Sequence, residues 1–180
     1  MRIEHDGFTV WLTGMSGAGK STVSDLLIAR LRGVSAKVES LDGDIVRTNL
    51  SDGLGFSRED RDTNVQRIGF VAELLSRNGV IVVVAAISPY RAAREAVKSR
   101  IPNFVEVFMD CPLEVLAARD VKGLYKKALA GELVSFTGIS DPYEAPLKPD
   151  VTLRSDKETL DQSLSKLWSH IQERGLIRET

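Results

Sequence analysis

Apolar segments of strand length alternate with amphipathic helical segments along the whole 180-residue chain. Runs of apolar, β-branched and aromatic residues predict five strands, at residues 8–12, 37–41, 80–85, 103–109 and 151–153. Apolar residues at helical spacing predict helices at residues 22–32, 57–77, 90–100, 112–120 and 160–171. Such alternation is typical of a parallel sheet covered by helices on both faces. The pattern therefore predicts an α/β protein with a three-layer, doubly wound parallel sheet.

Two of these helices carry a sequence signal for their first turn. A serine followed three residues later by an acidic residue matches the capping box, in which both side chains bond to free backbone N–H groups. Residues 57–60 and 155–158 fit this pattern. They predict where the helix 57–77 and the last helix begin.

The helix 57–77 carries two polar residues on its apolar side. Arg61 and Asn64 project from the same side as the apolar stripe, one turn earlier. A buried arginine is costly unless something pairs with it, so this end of the helix would face a polar cleft. The alternative is that the Arg61 side chain extends to water at the helix end. Spacing alone leaves both interpretations open.

The composition fits one domain that spans residues 1–180. Hydrophobic residues make up 43% of the chain and charged residues 27%, as in proteins with a packed core. The net charge of −1 gives no overall field that would favour nucleic acid. Cys111 is the only cysteine, which excludes an internal disulfide and a cysteine zinc cluster. No apolar run is long enough to cross a membrane, and residues 1–6 lack the apolar core of a signal peptide, so we expect a cytoplasmic protein.

Between the first strand and the first helix, residues 14–21 read G-x-x-x-x-G-K-S, the phosphate-binding P-loop. Glycines let backbone N–H groups approach a phosphate chain closely, and the following helix N-terminus favours the same anion. Lys20 adds positive charge for the β and γ phosphates, and the Ser21 hydroxyl can ligate Mg²⁺. An ordinary glycine turn is the alternative, but the spacing and the flanking elements favour a nucleotide site. That site would contain Gly14, Met15, Ser16, Gly17, Ala18, Gly19, Lys20, Ser21 and Thr22.

Charged residues follow the second strand, at the edge where open α/β sheets bind ligands. They are Asp42, Asp44 and Arg47. Asp44 and Arg47 are three positions apart and would share one face of a helical turn. Taken alone, a helix cap and a surface ion pair would explain these residues. Beside a P-loop, a functional role is favoured.

Residues 121–149 differ in character from the rest of the chain. The segment is basic at 122–127, aromatic and glycine-bearing at 136–139, and contains prolines at 142, 146 and 149. This composition predicts a mobile lid with its hinges. The alternative is a surface excursion with a solvated charged face.

Together these motifs resemble the adenylylsulfate kinase (APS kinase) family over nearly the whole chain. The matching segments are residues 14–22, 41–47, 54–64, 87–91, 119–125, 136–139 and 142–144, in this order. The resemblance implies a P-loop kinase fold with a mobile lid, and a homodimer. It also implies transfer of the ATP γ-phosphoryl group to the ribose 3′-hydroxyl of adenosine 5′-phosphosulfate (APS). The products would be 3′-phosphoadenosine 5′-phosphosulfate and ADP, in the second step of sulfate activation.

On the acceptor side, the resemblance implies two aromatic rings that stack on the adenine, Phe56 and Phe136. Three basic side chains would hold the phosphosulfate, because guanidinium groups match its oxygens well: Arg47, Arg61 and Lys122. Asn64 would add hydrogen bonds. Ser135 stands where the family commonly has glycine. The implied acceptor pocket contains Asp44, Arg47, Phe56, Arg61, Asn64, Ile87, Ser88, Lys122, Ser135 and Phe136.

On the catalytic side, Lys20 and Mg²⁺ on Ser21 would neutralise the transferring group. Asp44 would accept or orient the 3′-hydroxyl proton, and Asp42 would organise metal-bound water. In many P-loop proteins the central strand ends in an aspartate, but the strand 80–85 does not. A catalytic role for Asp42 and Asp44 is therefore favoured further. The ATP adenine would contact Arg119 or the loop after the strand 151–153.

Ser88 has two interpretations. The resemblance implies a catalytic role as a phosphoserine intermediate. Direct in-line transfer needs no such intermediate, however, and the sequence places no base beside Ser88. The alternative is a turn hydroxyl or a ligand contact at a strand end.

Two other functions fit parts of the sequence. Another small-molecule P-loop kinase could use the same arginines and carboxylates, although Phe136 and residues 54–64 argue against it. A non-catalytic nucleotide-binding regulatory domain is the second, but residues 14–21, Asp44 and Lys122 are intact here.

Overall fold

The computed structural model describes residues 3–179; residues 1, 2 and 180 lie outside the described part, so the predicted N-terminal segment is seen only from Ile3. The strands are β1 Ile3–His5, β2 Thr9–Thr13, β3 Val38–Asp42, β4 Ile81–Ala85, β5 Phe104–Asp110, β6 Val151–Arg154 and β7 Ile177–Glu179. The helices are α1 Lys20–Gly33, α2 Gly43–Asn49, α3 Arg58–Ser76, α4 Arg91–Lys98, α5 Leu113–Arg119, α6 Leu124–Leu129 and α7 Leu160–Glu173.

The five predicted strands form one parallel sheet in the order β3-β4-β2-β5-β6, which confirms the predicted fold class. β2 pairs with β4 on one side and with β5 on the other, so the strand order reverses direction at β2. In such sheets, ligands bind outside the carboxyl ends of the strands at this point of reversal. Residues 14–19 follow β2 and Asp42 ends β3, so both predicted motifs lie at this edge.

Helices cover both faces of the sheet. α1 and α7 pack on one face, where Leu27, Leu153 and Ile171 are buried. α3 and α4 pack on the other face, around Trp11 and Ile68. Each large apolar side chain buried in this way contributes about 1.5–3 kcal/mol. These two apolar cores hold the sheet between the helices. They therefore fix the position of the carboxyl-end edge, which carries the predicted polar motifs.

One glycine sets the distance between α3 and α4. A Cβ atom at Gly69 would lie 2.5 Å from a methyl carbon of Val97, closer than real Cβ atoms approach. The Val97 side chain of α4 therefore packs directly against the α3 backbone at this glycine, which lets the two helices approach closely.

The last helix begins later than its sequence signal predicted. Its N-cap is Thr159, whose hydroxyl and the Gln162 side chain form a complete capping box. The predicted box at residues 155–158 is wrong, because Glu158 instead accepts hydrogen bonds from Ser163 and Lys166. Residues 155–158 form a turn after β6, with the Glu158 N–H bonded to the Arg154 carbonyl.

The predicted start of α3 is half confirmed. The Ser57 hydroxyl accepts a hydrogen bond from the Asp60 N–H, as in a capping box. The Asp60 carboxylate does not return to the cap, however, and accepts from the Gly55 N–H instead. It therefore fixes the loop before the helix rather than the helix end itself.

A second, two-stranded sheet was not predicted. β1 and β7 pair antiparallel and bring the two ends of the described chain together. Among the described helices, none has the length and apolarity needed to span a membrane.

Candidate active site

The P-loop lies directly between β2 and α1, as predicted. Gly19, the N-cap of α1, has a φ of 96°, in the left-handed region that favours glycine. The Lys20 ammonium donates to the carbonyls of Gly14 (2.8 Å) and Met15 (2.9 Å). From α6, the Tyr125 hydroxyl donates to the Ser16 carbonyl at 2.6 Å. The loop is thus held by its own lysine and by a residue of the predicted lid.

Lys20 is half-buried in this loop, and its environment changes its acidity. Loss of hydration lowers its pKa most, the nearby Lys122 lowers it too, and Asp42 and Asp44 raise it, so that the pKa of Lys20 is about 8. An ammonium with few water contacts is a strong partner for an anion that reaches it. Lys20 is therefore suited to neutralise phosphate at this position.

Asp42 links the P-loop helix to α2. One of its carboxylate oxygens accepts a hydrogen bond from the Ser21 hydroxyl at 2.7 Å. The other caps α2 by accepting from the Asp44 N–H at 3.0 Å. The helix cap that we considered as the alternative to a functional role for Asp42 is therefore present. The same carboxylate also contacts the P-loop serine.

Asp44 points into the open cleft and pairs with the predicted lid. Its side chain is 80% exposed, and the Lys122 ammonium lies 3.2 Å from its carboxylate. Arg47 turns away to the Leu54 and Gly55 carbonyls, so the alternative of a surface ion pair between Asp44 and Arg47 is wrong. An ammonium and a carboxylate therefore face each other across the mouth of the cleft.

Arg47 and Phe56 form one unit on the acceptor side. The Arg47 guanidinium lies 4.4 Å from the centre of the Phe56 ring. Burial, followed by the repulsion of Arg61, lowers the pKa of Arg47. The Phe56 side chain is 58% exposed, so a large aromatic face remains open to the cleft. Such a face suits stacking on a planar base.

Arg61 is buried, which decides between its two interpretations in favour of the polar cleft. Its guanidinium donates to the Phe56 carbonyl (2.9 Å), the Thr137 hydroxyl (2.6 Å) and the Ser135 carbonyl, and it pairs with Asp141 at 3.0 Å. It thereby ties the start of α3 to the predicted lid beside Phe136.

Asn64 lies one turn further along the same helix. It is buried, and its side-chain oxygen has no hydrogen-bond partner within the described residues. Unpaired buried acceptors are uncommon in folded proteins. This unpaired oxygen lies one helical turn from the buried guanidinium of Arg61.

Phe136 packs against α6, the helix within the predicted lid. Its ring packs edge-on against Tyr125, with ring centres 5.1 Å apart. Ser135 has a φ of 59°, which explains why glycine suits this position. Arg61 bonds to the backbone on both sides, at Phe56 and at Ser135, so the two predicted stacking residues belong to segments that one side chain joins.

Ile87 and Ser88 lie just after β4, and both face the P-loop strand. The Thr13 hydroxyl donates to the Ile87 carbonyl at 2.7 Å. The Ser88 hydroxyl is buried and accepts from the Trp11 indole N–H at 3.0 Å. It also lies 3.1 Å from the Thr13 hydroxyl, whose oxygen is in turn 2.9 Å from the Tyr143 hydroxyl.

Arg119 ends α5 and contacts the turn after β6. Its guanidinium donates to the Ser155 carbonyl at 3.0 Å and to the Ser155 hydroxyl at 3.4 Å. The two regions that sequence reasoning offered as alternatives for the nucleotide base are thus one place in the structure.

The sequence model of the adenylylsulphate kinase family matches residues 6–154. The chain belongs to this family. It is an enzyme: adenylyl-sulfate kinases use a nucleotide co-substrate and phosphorylate the 3′-hydroxyl of APS. The alternatives of a different small-molecule kinase and of a regulatory domain are thereby set aside.

Relatives match the chain over nearly its full length. It is 60% identical over 175 residues to the adenylyl-sulfate kinase of Rippkaea orientalis, covering 97% of each chain. It is 61% identical over 173 residues to that of Microcystis aeruginosa, covering 96% of each.

Solved structures of the family share the fold. The APS kinase CysC of Mycobacterium tuberculosis, in complex with AMPPNP and APS, superposes with a TM-score of 0.89 at 40% identity, covering 94% of this chain and 99% of that one. A hexameric APS kinase from Thiobacillus denitrificans gives a TM-score of 0.75 at 34% identity; the match covers 98% of this chain and 31% of that one. Shikimate kinase from Aquifex aeolicus, at 18% identity and a TM-score of 0.53, shares the P-loop kinase fold alone.

Sequence reasoning gave no role to several residues at this family's site. Thr13, Tyr143 and Arg94 all bond to residues 87–88 or to their neighbours. Residues 142–144 match the motif quoted above, but their partners lie 35 to 130 positions away along the chain. Only the folded chain shows that these segments meet.

Proposed function

We propose that the cleft between the P-loop, α2 and residues 121–149 binds ATP and APS side by side, and that the phosphoryl group passes directly between them. The observation that carries this proposal is the convergence of Lys20, Ser21, Asp42, Asp44 and Lys122 at the carboxyl ends of β2 and β3. The APS 3′-oxygen attacks the γ-phosphorus as the bond to the ADP oxygen breaks. The hydroxyl proton passes to Asp44.

On the donor side, the backbone N–H groups of residues 14–19 and the Lys20 ammonium bind the phosphates. The Ser21 hydroxyl and an Asp42 carboxylate oxygen lie 2.7 Å apart, and such oxygens are the ligands that Mg²⁺ prefers. Within the described residues, no group of three or more acidic, histidine or cysteine side chains could hold a metal ion. The pair therefore fits an ion that takes its other ligands from phosphate and water, with Ser21 bound directly and Asp42 through water. When bound, Mg²⁺ would offset the negative charge of the phosphates.

On the acceptor side, Phe56 and Phe136 stack on the adenine of APS, and Arg47 and Lys122 bind its phosphosulfate. Arg61 positions both aromatic segments through its bonds to the Phe56 and Ser135 carbonyls. The buried, unpaired oxygen of Asn64 accepts a hydrogen bond from the acceptor. The Ile87 and Ser88 backbone completes the pocket, and Arg119 contacts the ATP adenine.

Residues 121–149 serve as a lid over these two halves. Lys122 pairs with Asp44 across the cleft, and Tyr125 bonds to the P-loop. The Lys122 ammonium therefore lies close to the transferring group when the lid is closed. As expected from the family resemblance, we propose a homodimer, which light scattering over a range of protein concentrations would test.

The direct test is an assay of the purified protein with Mg-ATP, in which ADP release is measured against a panel of acceptors. We expect saturable turnover with APS, with a KM on the order of 1 μM to 1 mM. Adenosine 5′-phosphate, gluconate and shikimate should not replace APS. Binding of APS without turnover would point to the regulatory function, and turnover only with another acceptor would overturn the proposal.

The pKa of Lys20 predicts a pH dependence of ATP binding. Because that pKa is about 8 in the free protein, Lys20 is charged below pH 8 and becomes neutral above it. ATP requires the charged form, so binding raises this pKa and takes up a proton. The Kd for Mg-ATP should rise above pH 8 by up to about tenfold per pH unit, since one proton is coupled to binding. Calorimetry in buffers of different ionisation enthalpy would measure the proton uptake.

Lys20→Arg is the control for this pH dependence. Arginine stays charged throughout the range, so the slope above pH 8 should disappear even where the affinity is lower. A slope that persists in this variant would assign the titration to another group.

Replacing Ser88 by alanine should leave turnover within about tenfold of the wild-type value. The Ser88 hydroxyl is buried against Trp11 and Thr13, with no carboxylate or imidazole bonded to it to act as a base. The variant should lose about 1–3 kcal/mol of unfolding free energy, because the Trp11 N–H loses its acceptor. Assays and thermal unfolding would measure both effects. Isotopic chirality at the transferred phosphorus should show inversion; retention would support a phosphoserine intermediate.

A further inference from the structure

The turn after β4 and the far end of the lid segment meet at one buried side chain, Arg94 of α4. It is 1% exposed. Its guanidinium donates to the Ser88 carbonyl at 2.6 Å, to the Glu144 carbonyl at 2.6 Å and to the Glu106 carboxylate at 3.2 Å. One planar group thus bonds to the turn, to the lid segment and to the central sheet.

The turn requires such support. Ser88 has a φ of 42°, in the left-handed region that costs a non-glycine residue about 1–2 kcal/mol. A backbone of this kind persists only where its surroundings fix it. The Ser88 carbonyl accepts from Arg94 and, at 3.4 Å, from the Thr13 hydroxyl. The direction of the Ile87–Ser88 backbone therefore depends on these two donors.

The lid side is fixed by the same helix. The Arg91 N–H donates to the Glu144 carboxylate at 2.9 Å, and the Arg91 guanidinium donates to the Ala145 carbonyl at 2.8 Å. The Glu144 N–H in turn donates to the Pro89 carbonyl at 2.8 Å. Residues 143–145 and the turn 87–90 therefore form a single body around the start of α4.

Glu106 fixes the direction of the Arg94 guanidinium. It lies on β5, is buried, and has Lys98 at 3.6 Å as a second cation. Its own N–H donates to the Asp150 carboxylate at 2.7 Å, and Lys98 also pairs with Asp150 at 3.3 Å. The Glu106 carboxylate is thus held in place by the sheet, and the nearby cations balance its charge. The Arg94 guanidinium that pairs with it therefore has one stable orientation.

We propose that Arg94, oriented by Glu106, is a positioning residue for the acceptor half of the site. It sets the Ile87–Ser88 backbone relative to the lid segment that carries Phe136, and thereby sets the affinity for APS. It bonds to neither the P-loop nor α2 among the described contacts, so ATP binding is independent of it. The inference rests on the proposed role of residues 87–88 and 136 as acceptor contacts.

The test is Arg94→Lys, which keeps the charge but lacks the fork that reaches three partners at once. The KM for APS should rise about tenfold, as expected for the loss of one charge-assisted hydrogen bond. The KM for Mg-ATP should stay within twofold. A merely structural role would instead lower the fraction of active enzyme and leave both KM values unchanged. Arg100→Lys is the matched control, because Arg100 pairs with Glu73 at the protein surface and touches neither segment.

A second variant covers the case in which Arg94→Lys does not fold. Arg94→Met combined with Glu106→Gln removes both buried charges together, which is tolerated better than removing one. It should show the same selective rise in the KM for APS. Equal changes in both KM values, or an unchanged KM for APS, would overturn the inference. If the wild-type enzyme does not phosphorylate APS, the proposed function is wrong. If the wild-type enzyme phosphorylates APS and the variants keep its KM for APS, only the inference about Arg94 is wrong.

Discussion

Replacing Lys20 by alanine is expected to lower turnover with ATP and APS by about 10³-fold or more. The Lys20 ammonium lies at the start of α1, bonded to the carbonyls of Gly14 and Met15. As the γ-phosphoryl group moves, negative charge spreads over its oxygens, and a fixed cation stabilises that charge without reorganisation. Alanine removes this fixed cation, and mobile water or salt ions cannot replace it at the same position, so the effect should be large.

The measurement is kcat and the Kd for Mg-ATP, with circular dichroism to confirm the fold. Lys37→Ala is a matched control, because Lys37 is exposed and precedes β3 away from the cleft. Both values should be normal in that control. Turnover of Lys20→Ala within tenfold of the wild-type rate would contradict the proposed role.

Replacing Asp44 by asparagine is expected to lower turnover by about 10²–10⁴-fold while APS affinity changes by less than about threefold. The Asp44 side chain is 80% exposed, so the substitution leaves the packing of α2 unchanged. Asparagine keeps the shape and one acceptor oxygen, but it cannot take the proton that leaves the 3′-hydroxyl. The loss should therefore appear in the chemical step rather than in binding.

Single-turnover rates and APS binding to the ADP-bound enzyme would separate the two effects. Asp25→Asn provides a control at an exposed acidic position on α1 and should behave as the wild type. Near wild-type turnover of Asp44→Asn would remove Asp44 from the mechanism. A matching loss of APS affinity would instead assign Asp44 to substrate binding.

The sheet and its helices were predictable because their signals are local. The run 80–85 is apolar without interruption, as expected for a central parallel strand, and it became β4. The start of α7 was mispredicted because two capping-box patterns follow each other directly, at 155–158 and 159–162. The sequence gives no reason to prefer one. In the structure, residues 155–158 are needed for the turn that contacts Arg119.

The residues of the candidate site likewise fall into those with local sequence signals and those without. The P-loop and the acidic pair were predictable because their residues are close in sequence and each type has a defined chemistry. The Arg94 contacts were not, because Glu106 and Glu144 lie 12 and 50 positions away. Neither partner has a spacing that a helix or a strand would reveal. From the sequence, the Arg61 side chain could either lie in a polar cleft or extend to water. Its partners Thr137 and Asp141, which decide for the cleft, are distant in sequence.

Asp42 gives one oxygen to the serine of the P-loop and the other to the backbone of Asp44. Its carboxylate therefore sets the spacing between the P-loop serine and the start of α2. Lengthening that side chain by one carbon would shift α1 and α2 against each other. If Ser21 and Asp44 serve the donor and the acceptor as proposed, this spacing would also set how deep the acceptor hydroxyl must lie. Selectivity for one acceptor geometry would then depend on the backbone frame as well as on the side chains that touch the acceptor.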